Sequence, residues 1–161
     1  IKGIAVIRKE SQAAHLTDLG AAHVLVQSDP GFANQLAAIC KAEKPRFLID
    51  SVADQHSADI FTAMPARANW MIYGKMSDEA PTITEAGHFI FLDKPITGCC
   101  LSLWFSEASL ITKLSTIRAV QKRFISGAWK TEVSARIPLA DVMEKLPEAL
   151  KQSDGKVMIV P

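Results

Sequence analysis

The stretch from Arg46 to Met76 restricts the possible folds more than any other part of the chain. Arg46-Phe47-Leu48-Ile49-Asp50-Ser51-Val52 is a short apolar burst that ends in polar residues. Asn69-Trp70-Met71-Ile72-Tyr73-Gly74-Lys75-Met76 holds a second apolar burst, which ends at the glycine. Between them Ala58, Phe61, Thr62 and Met64 recur at helical spacing, and Pro65 stops the helix. A strand–helix–strand connection of this length is too long for a hairpin. It predicts two parallel strands joined by a right-handed crossover. In open parallel sheets, ligands bind beyond the carboxyl ends of the strands. Here those ends are Ser51-Val52 and Gly74-Lys75-Met76.

The residues before this unit follow the same rhythm. Gly3 to Ile7 reads as a buried strand that stops at Arg8-Lys9-Glu10-Ser11. A helix follows, with Ala13, Leu16 and Leu19 on one face and Gly20 at its end. Ala22 to Val26 is the next strand. Ser28 or Asp29 is expected to cap a helix with Pro30 in its first turn and Phe32, Leu36, Ile39 and Cys40 as its apolar stripe. The alternation predicts an α/β fold: a doubly wound, mostly parallel sheet with helices on both faces. Strands are expected near 3–8, 22–26, 46–51, 69–74 and 155–160.

After Met76 the pattern changes. His88 to Leu92 and Ile96 to Leu101 read as extended segments around Asp93-Lys94-Pro95. Phe105 to Ser126 reads as one long helix, with Ser106 as cap and Gly127 as its end. Glu132 to Ile137 reads as a strand, Pro138 to Lys151 as a helix that is irregular near Pro147, and Gly155 to Val160 as the final strand. No linker, repeat or low-complexity segment divides the chain, so 1–161 is expected to form a single domain.

Composition excludes several classes of function. The 161 residues carry a net charge of +1 and are 48% apolar, which suits a sizeable core and gives no nucleic-acid patch. No apolar run is long enough to span a membrane, and no signal peptide is visible. The three cysteines form neither a secreted framework nor a metal-ligand spacing. His15, His23, His56 and His88 show no zinc-type spacing, so no metal is expected. A cytoplasmic protein with reduced thiols is the expectation. The chain begins at Ile1 without a methionine and enters a strand at once, which reads as a piece of something longer.

Local chemistry leaves some alternatives open. Arg8 and Lys9, with Ser11, lie at a strand end that opens into a helix, the setting of an anion site. In nucleotide-binding sheets a basic residue at such a position favours a ribose 2′-phosphate over a free hydroxyl. Two solvated charges on a turn is the other reading. Asp50 is either a catalytic carboxylate or a local cap. Ser51 lacks the Gly-x-Ser-x-Gly context of a nucleophile elbow. Cys99-Cys100 reads as two small core-like residues in the absence of a signal for a reactive thiol.

Taken together, Ala5-Val6-Ile7-Arg8-Lys9, Leu19-Gly20-Ala21-Ala22-His23-Val24, Asp50-Ser51-Val52, Tyr73-Gly74-Lys75-Met76, Gly98 to Trp104 and Gly155-Lys156-Val157 carry a family resemblance. In order and spacing the chain resembles the C-terminal two-thirds of the zinc-independent medium-chain dehydrogenase/reductases. It is most similar to the NADPH-dependent quinone oxidoreductase and 2-enoyl-thioester reductase branch. The resemblance implies a Rossmann-type domain that binds NADP(H) and passes hydride to a quinone or an activated C=C of a small-molecule substrate. Arg8, Lys9 and Ser11 then match the holders of the 2′-phosphate. Ser51 and Val52 match the turn along the riboses, and Gly74, Lys75 and Met76 match the turn beside the nicotinamide. Cys99, Cys100 and Leu101 match the backbone that lines its carboxamide, and Lys156 a position near the phosphates. The segment Phe89 to Leu101 matches the edge strand of a homodimer.

The chain also departs from the family. Ala53-Asp54 stands where paired glycines are usual, Cys99-Cys100 where aromatics are frequent, and Lys75 where a small residue is usual. The Gly-rich first strand–turn and the N-terminal catalytic domain are absent from these residues. Without that central strand, two strands are expected to have no hydrogen-bonded neighbour joining them to the rest. A non-catalytic α/β binding or dimerisation module, with the cofactor site lost, is the alternative.

Overall fold

The computed structural model describes residues 2–151 and 155–161; Ile1 lies outside them. The chain divides into two compact units, meeting in sequence between Trp104 and Phe105. In the first unit, β1 (Gly3–Ile7) pairs with β2 (Ala21–Val26), and β3 (Phe47–Asp50), β4 (Asn69–Ile72) and β5 (Ile96–Gly98) form a three-stranded sheet in that order. Every pairing is parallel, with Phe47 opposite Asn69 and Asp50 opposite Ile72. The helices α1 (Ala13–Asp18), α2 (Phe32–Glu43) and α3 (Gln55–Ala63) supply the crossovers. The expected doubly wound α/β architecture is present.

The expected gap is present too. Among the described residues no ladder joins β1 to β3, and a cleft of about 630 Å³ runs between them, lined by Ile4 and Val6 on one side and Leu48 and Ile49 on the other. The two sheets nevertheless share one core. Leu25, Leu36, Cys40, Ile60, Met64 and Ala68 are buried together, with Ile4, Val6 and Leu48 packed against them. Side chains of α2 and α3 thus bridge both sheets from one face. Beside this core, Trp70 and Phe61 are fully buried with ring centroids 5.6 Å apart.

Local chemistry explains the helix ends. Asp29 accepts from Gly31 N–H (2.6 Å) and from the Gln35 amide (3.0 Å), so it organises the start of α2. Pro30 lies just before that helix rather than in its first turn. Asp54 caps α3 by accepting from Ser57 N–H, and the helix ends before Pro65 as expected. At that end Lys94 is buried. Its Nζ donates to the carbonyls of Phe61 (2.5 Å), Thr62 (3.2 Å) and Met64 (2.9 Å) and lies 4.6 Å from the Phe61 ring centroid. A cation here meets both the orphan carbonyls and the negative end of the helix dipole. Burial pulls its pKa below the ordinary lysine range.

Two sequence expectations are corrected. His88 to Leu92 is not extended: α4 (Gly87–Ile90) is a helical turn, with Phe91 N–H donating to Gly87 O at 2.8 Å. Glu85 accepts from Gly87 N–H, and Asp93 at φ 48° turns the chain into β5. A short apolar run does not distinguish strand from helix, and these local bonds decide it. The expected long helix is interrupted as well. It is α5 (Leu101–Glu107) followed by α6 (Leu110–Ile125), and the cap is Ser109 rather than Ser106, accepting from Thr112 N–H.

In the second unit, β6 (Val133–Pro138) and β7 (Lys156–Val160) pair in parallel, with α7 (Val142–Ala149) between them in sequence and Pro147 inside that helix. Gly127, at φ 72°, ends α6. Lys94→Met is expected to destabilise the protein by about 3 kcal/mol, because three carbonyls lose their donor in a dry site. Urea unfolding of the intact protein, wild type against variant, checks this.

Candidate functional site

The residues singled out in the first unit collect at the carboxyl ends of its parallel strands. At the end of β3, the buried Asp50 carboxylate accepts from Val52 N–H (2.8 Å), Ala53 N–H (3.1 Å) and Trp70 Nε1–H (2.9 Å). Both oxygens are engaged, so Asp50 is a turn anchor and not a catalytic carboxylate. The turn it holds puts Ala53 at φ 56°, a left-handed conformation that costs a residue with Cβ about 1–2 kcal/mol. Asp54 follows at the start of α3, where Oδ1 accepts from Ser57 N–H (3.0 Å) and Oγ–H (3.2 Å).

The turn after β4 lies alongside. Tyr73 N–H donates to Asp50 O (2.9 Å), Met76 N–H to Ser51 O (3.0 Å) and Ser77 N–H to Val52 O (3.1 Å). Ser51, Val52, Gly74 and Met76 therefore form one continuous backbone surface. Gly74 makes that approach possible, since a Cβ there would stand 3.0 Å from Ser51 O and 3.2 Å from Ser51 Cα. Lys75 turns back on its own loop, donating to Ser77 O and Glu79 O. At the end of β5, Cys99 N–H donates to Ile72 O (2.8 Å) and Leu101 begins α5. The Cys100 thiol, 3.2 Å from Ser102 Oγ, is held below the ordinary cysteine range by that hydroxyl and by the Leu103 backbone N–H.

At the end of β1, Arg8 and Lys9 are exposed, and Ser11 sits in the 3-10 turn Glu10–Gln12 that leads into α1. Arg8 reaches across to the start of α3, with Nη2 3.6 Å from Asp54 Oδ2. This contact spans the point at which the crossovers change direction, from β1–β2 on one side to β3–β4–β5 on the other. That point is where open sheets bind ligands. Lys156 opens β7 in the second unit and is exposed. Among the described residues no group of three His, Cys, Asp or Glu side chains is placed to hold a metal, and no helix is long and apolar enough to cross a membrane. Sequence reasoning missed Asp54 as a site residue. Its Asp-x-x-Ser spacing to Ser57 signals a cap, but nothing local signals Arg8.

Neither family models nor curated proteins give a match to the sequence. Solved structures do. A protein assigned as an NADPH:quinone reductase from Mesorhizobium loti is 40% identical, with TM-score 0.92, over 100% of this chain and 46% of its own. An NADPH:quinone reductase assignment from Bacillus thuringiensis is 19% identical, with TM-score 0.82, over 99% of this chain and 49% of its own. The mitochondrial 2-enoyl thioester reductase heterodimer of Candida tropicalis is 20% identical, with TM-score 0.81, over 100% and 47%. The chain has the fold of the cofactor-binding half of the medium-chain dehydrogenase/reductases. It spans about half the length of each of these structures.

Set against the dehydrogenase/reductase pattern, the left-handed Ala53 marks a position where glycine is the relaxed choice. Ala53→Gly is expected to stabilise the protein by up to about 1 kcal/mol, the strain relief exceeding the added chain entropy. Gly74→Ala is expected to cost about 2 kcal/mol, because the atoms it meets are largely backbone. Denaturant midpoints of the two variants, moving in opposite directions, check both.

Proposed function

We propose that this chain is the NADP(H)-binding part of a zinc-independent oxidoreductase that passes hydride to a quinone or to an activated C=C of an enoyl substrate. The observation that carries the reading is the cation at the switch point: Arg8 at the end of β1, facing the turn after β3. The 40% identity to a protein assigned as an NADPH:quinone reductase supports the same class.

The residues present fit such a cofactor. A guanidinium meets a phosphate with two parallel charge-assisted hydrogen bonds, while Lys9 adds a point charge and Ser11 a hydroxyl. The Ser51–Val52 and Gly74–Met76 turns, packed together through Gly74, offer backbone at the carboxyl ends of β3 and β4, where a nicotinamide and its ribose would lie. Cys99, Cys100 and Leu101 offer backbone groups for the carboxamide. When bound, the nicotinamide supplies the hydride. The chain's own task is to fix the orientation of that ring against the acceptor, and no metal is needed for it.

We also propose that the intact protein is a homodimer formed through Phe89 to Leu101. Ile90 and Phe91 are exposed at 72% and 83%, and β5 is the last strand of its sheet. An open edge beside apolar side chains invites pairing about a two-fold axis. The non-catalytic module remains the second reading, favoured by Ala53-Asp54 in place of paired glycines.

Hydrogen bonds to charged groups contribute roughly 1.5–3 kcal/mol each. Arg8→Ala in the intact protein is therefore expected to weaken NADPH binding by about tenfold or more and to leave NADH nearly unchanged. Fluorescence titration with both cofactors is the measurement. Equal effects on both reduce Arg8 to a surface charge, and a wild type that binds neither selects the module. Sedimentation at micromolar concentration tests the dimer; a monomer there removes it.

A further inference from the structure

We propose that Asp54 is a specificity-determining residue that competes with the ligand's 2′-phosphate for Arg8; this rests on the NADP(H) reading above. The two partners differ in exposure. Asp54 is 6% exposed, and its Oδ1 is held by Ser57 N–H and Ser57 Oγ–H. The backbone before it is held by the Asp50-anchored turn. Its Oδ2 is left facing Arg8. The Arg8 side chain is 65% exposed.

A phosphate arriving at Arg8 therefore meets a buried, hydrogen-bonded negative charge beside an exposed positive one. The contact is a single long one, Nη2 to Oδ2 at 3.6 Å, so most guanidinium donors are left for the phosphate. The carboxylate still holds the guanidinium toward the β3 turn and repels a group carrying close to two negative charges. A cofactor with a free ribose hydroxyl meets no such repulsion. Asp54 thus narrows the preference that Arg8 creates.

Asn caps helices about as well as Asp, so Asp54→Asn removes the charge and keeps the bond to Ser57 N–H. A partly exposed ion pair is worth about 0.2–1 kcal/mol, which converts to roughly 1.4- to 5-fold in affinity. In the intact protein, Asp54→Asn is expected to tighten NADPH by up to about fivefold and to leave NADH unchanged. The gain is expected to shrink at high salt and to vanish in an Arg8→Ala background. Asp54→Ser, another strong cap, is expected to behave like Asp54→Asn, and thermal unfolding of both variants checks that α3 is intact. Weaker NADPH binding in the capped variants would instead make Asp54 a support that positions Arg8, and overturns the proposal. No change, or equal change in both cofactors, overturns it as well. A wild type without preference for NADPH removes the cofactor reading itself, a different outcome from a preference that Asp54→Asn leaves untouched.

Discussion

The Asp50 carboxylate is the interaction on which the site depends. It is buried at the end of β3 and satisfies three donors, two from the turn that follows and one from the Trp70 indole on the neighbouring strand. Hydrogen bonds to a charged group in a dry setting are among the stronger ones in a protein. These three fix the direction in which the chain leaves the sheet. Ala53 is held in a left-handed conformation that its Cβ disfavours, and Asp54 then falls at the first turn of α3. Without that anchor neither the cap nor the contact with Arg8 has a defined position.

The same bond links the turn to the core. Trp70 is buried against Phe61 and Ala58, so the indole that donates to Asp50 is itself immobile. Phe61 in turn lies beneath Lys94, whose ammonium closes the far end of α3. One helix is therefore pinned at both ends, by Asp54 at its start and Lys94 at its finish. Its middle fills the core that β1, β2 and β3 share. The two parallel sheets keep a common base although no ladder connects them, and the strand ends stay on one edge.

Much of this was legible in the sequence. Apolar periodicity located the strands and helices, because the side-chain repeat of each element matches the face it buries. The length of each connection required parallel pairing, since a crossover helix cannot be replaced by a tight turn. Pro65 and Gly127 marked helix ends for reasons internal to those residues. The positions of Ser51, Val52 and Gly74 to Met76 at the strand ends followed from the pattern alone.

What the sequence could not decide depends on partners distant in the chain or on close competition between local states. The segment His88 to Leu92 has enough apolar character for either strand or helix, and a few local hydrogen bonds choose the helix. Asp50 reads as a carboxylate with several possible uses until Trp70 is brought beside it. Arg8 and Asp54 carry no local signal of one another; only the folded chain brings Arg8 Nη2 to 3.6 Å from Asp54 Oδ2. The sequence by itself determined which residues lie at the strand ends, because that depends on periodicity. The tertiary structure alone decided which of those charges meet, because ion pairing depends on distance in space.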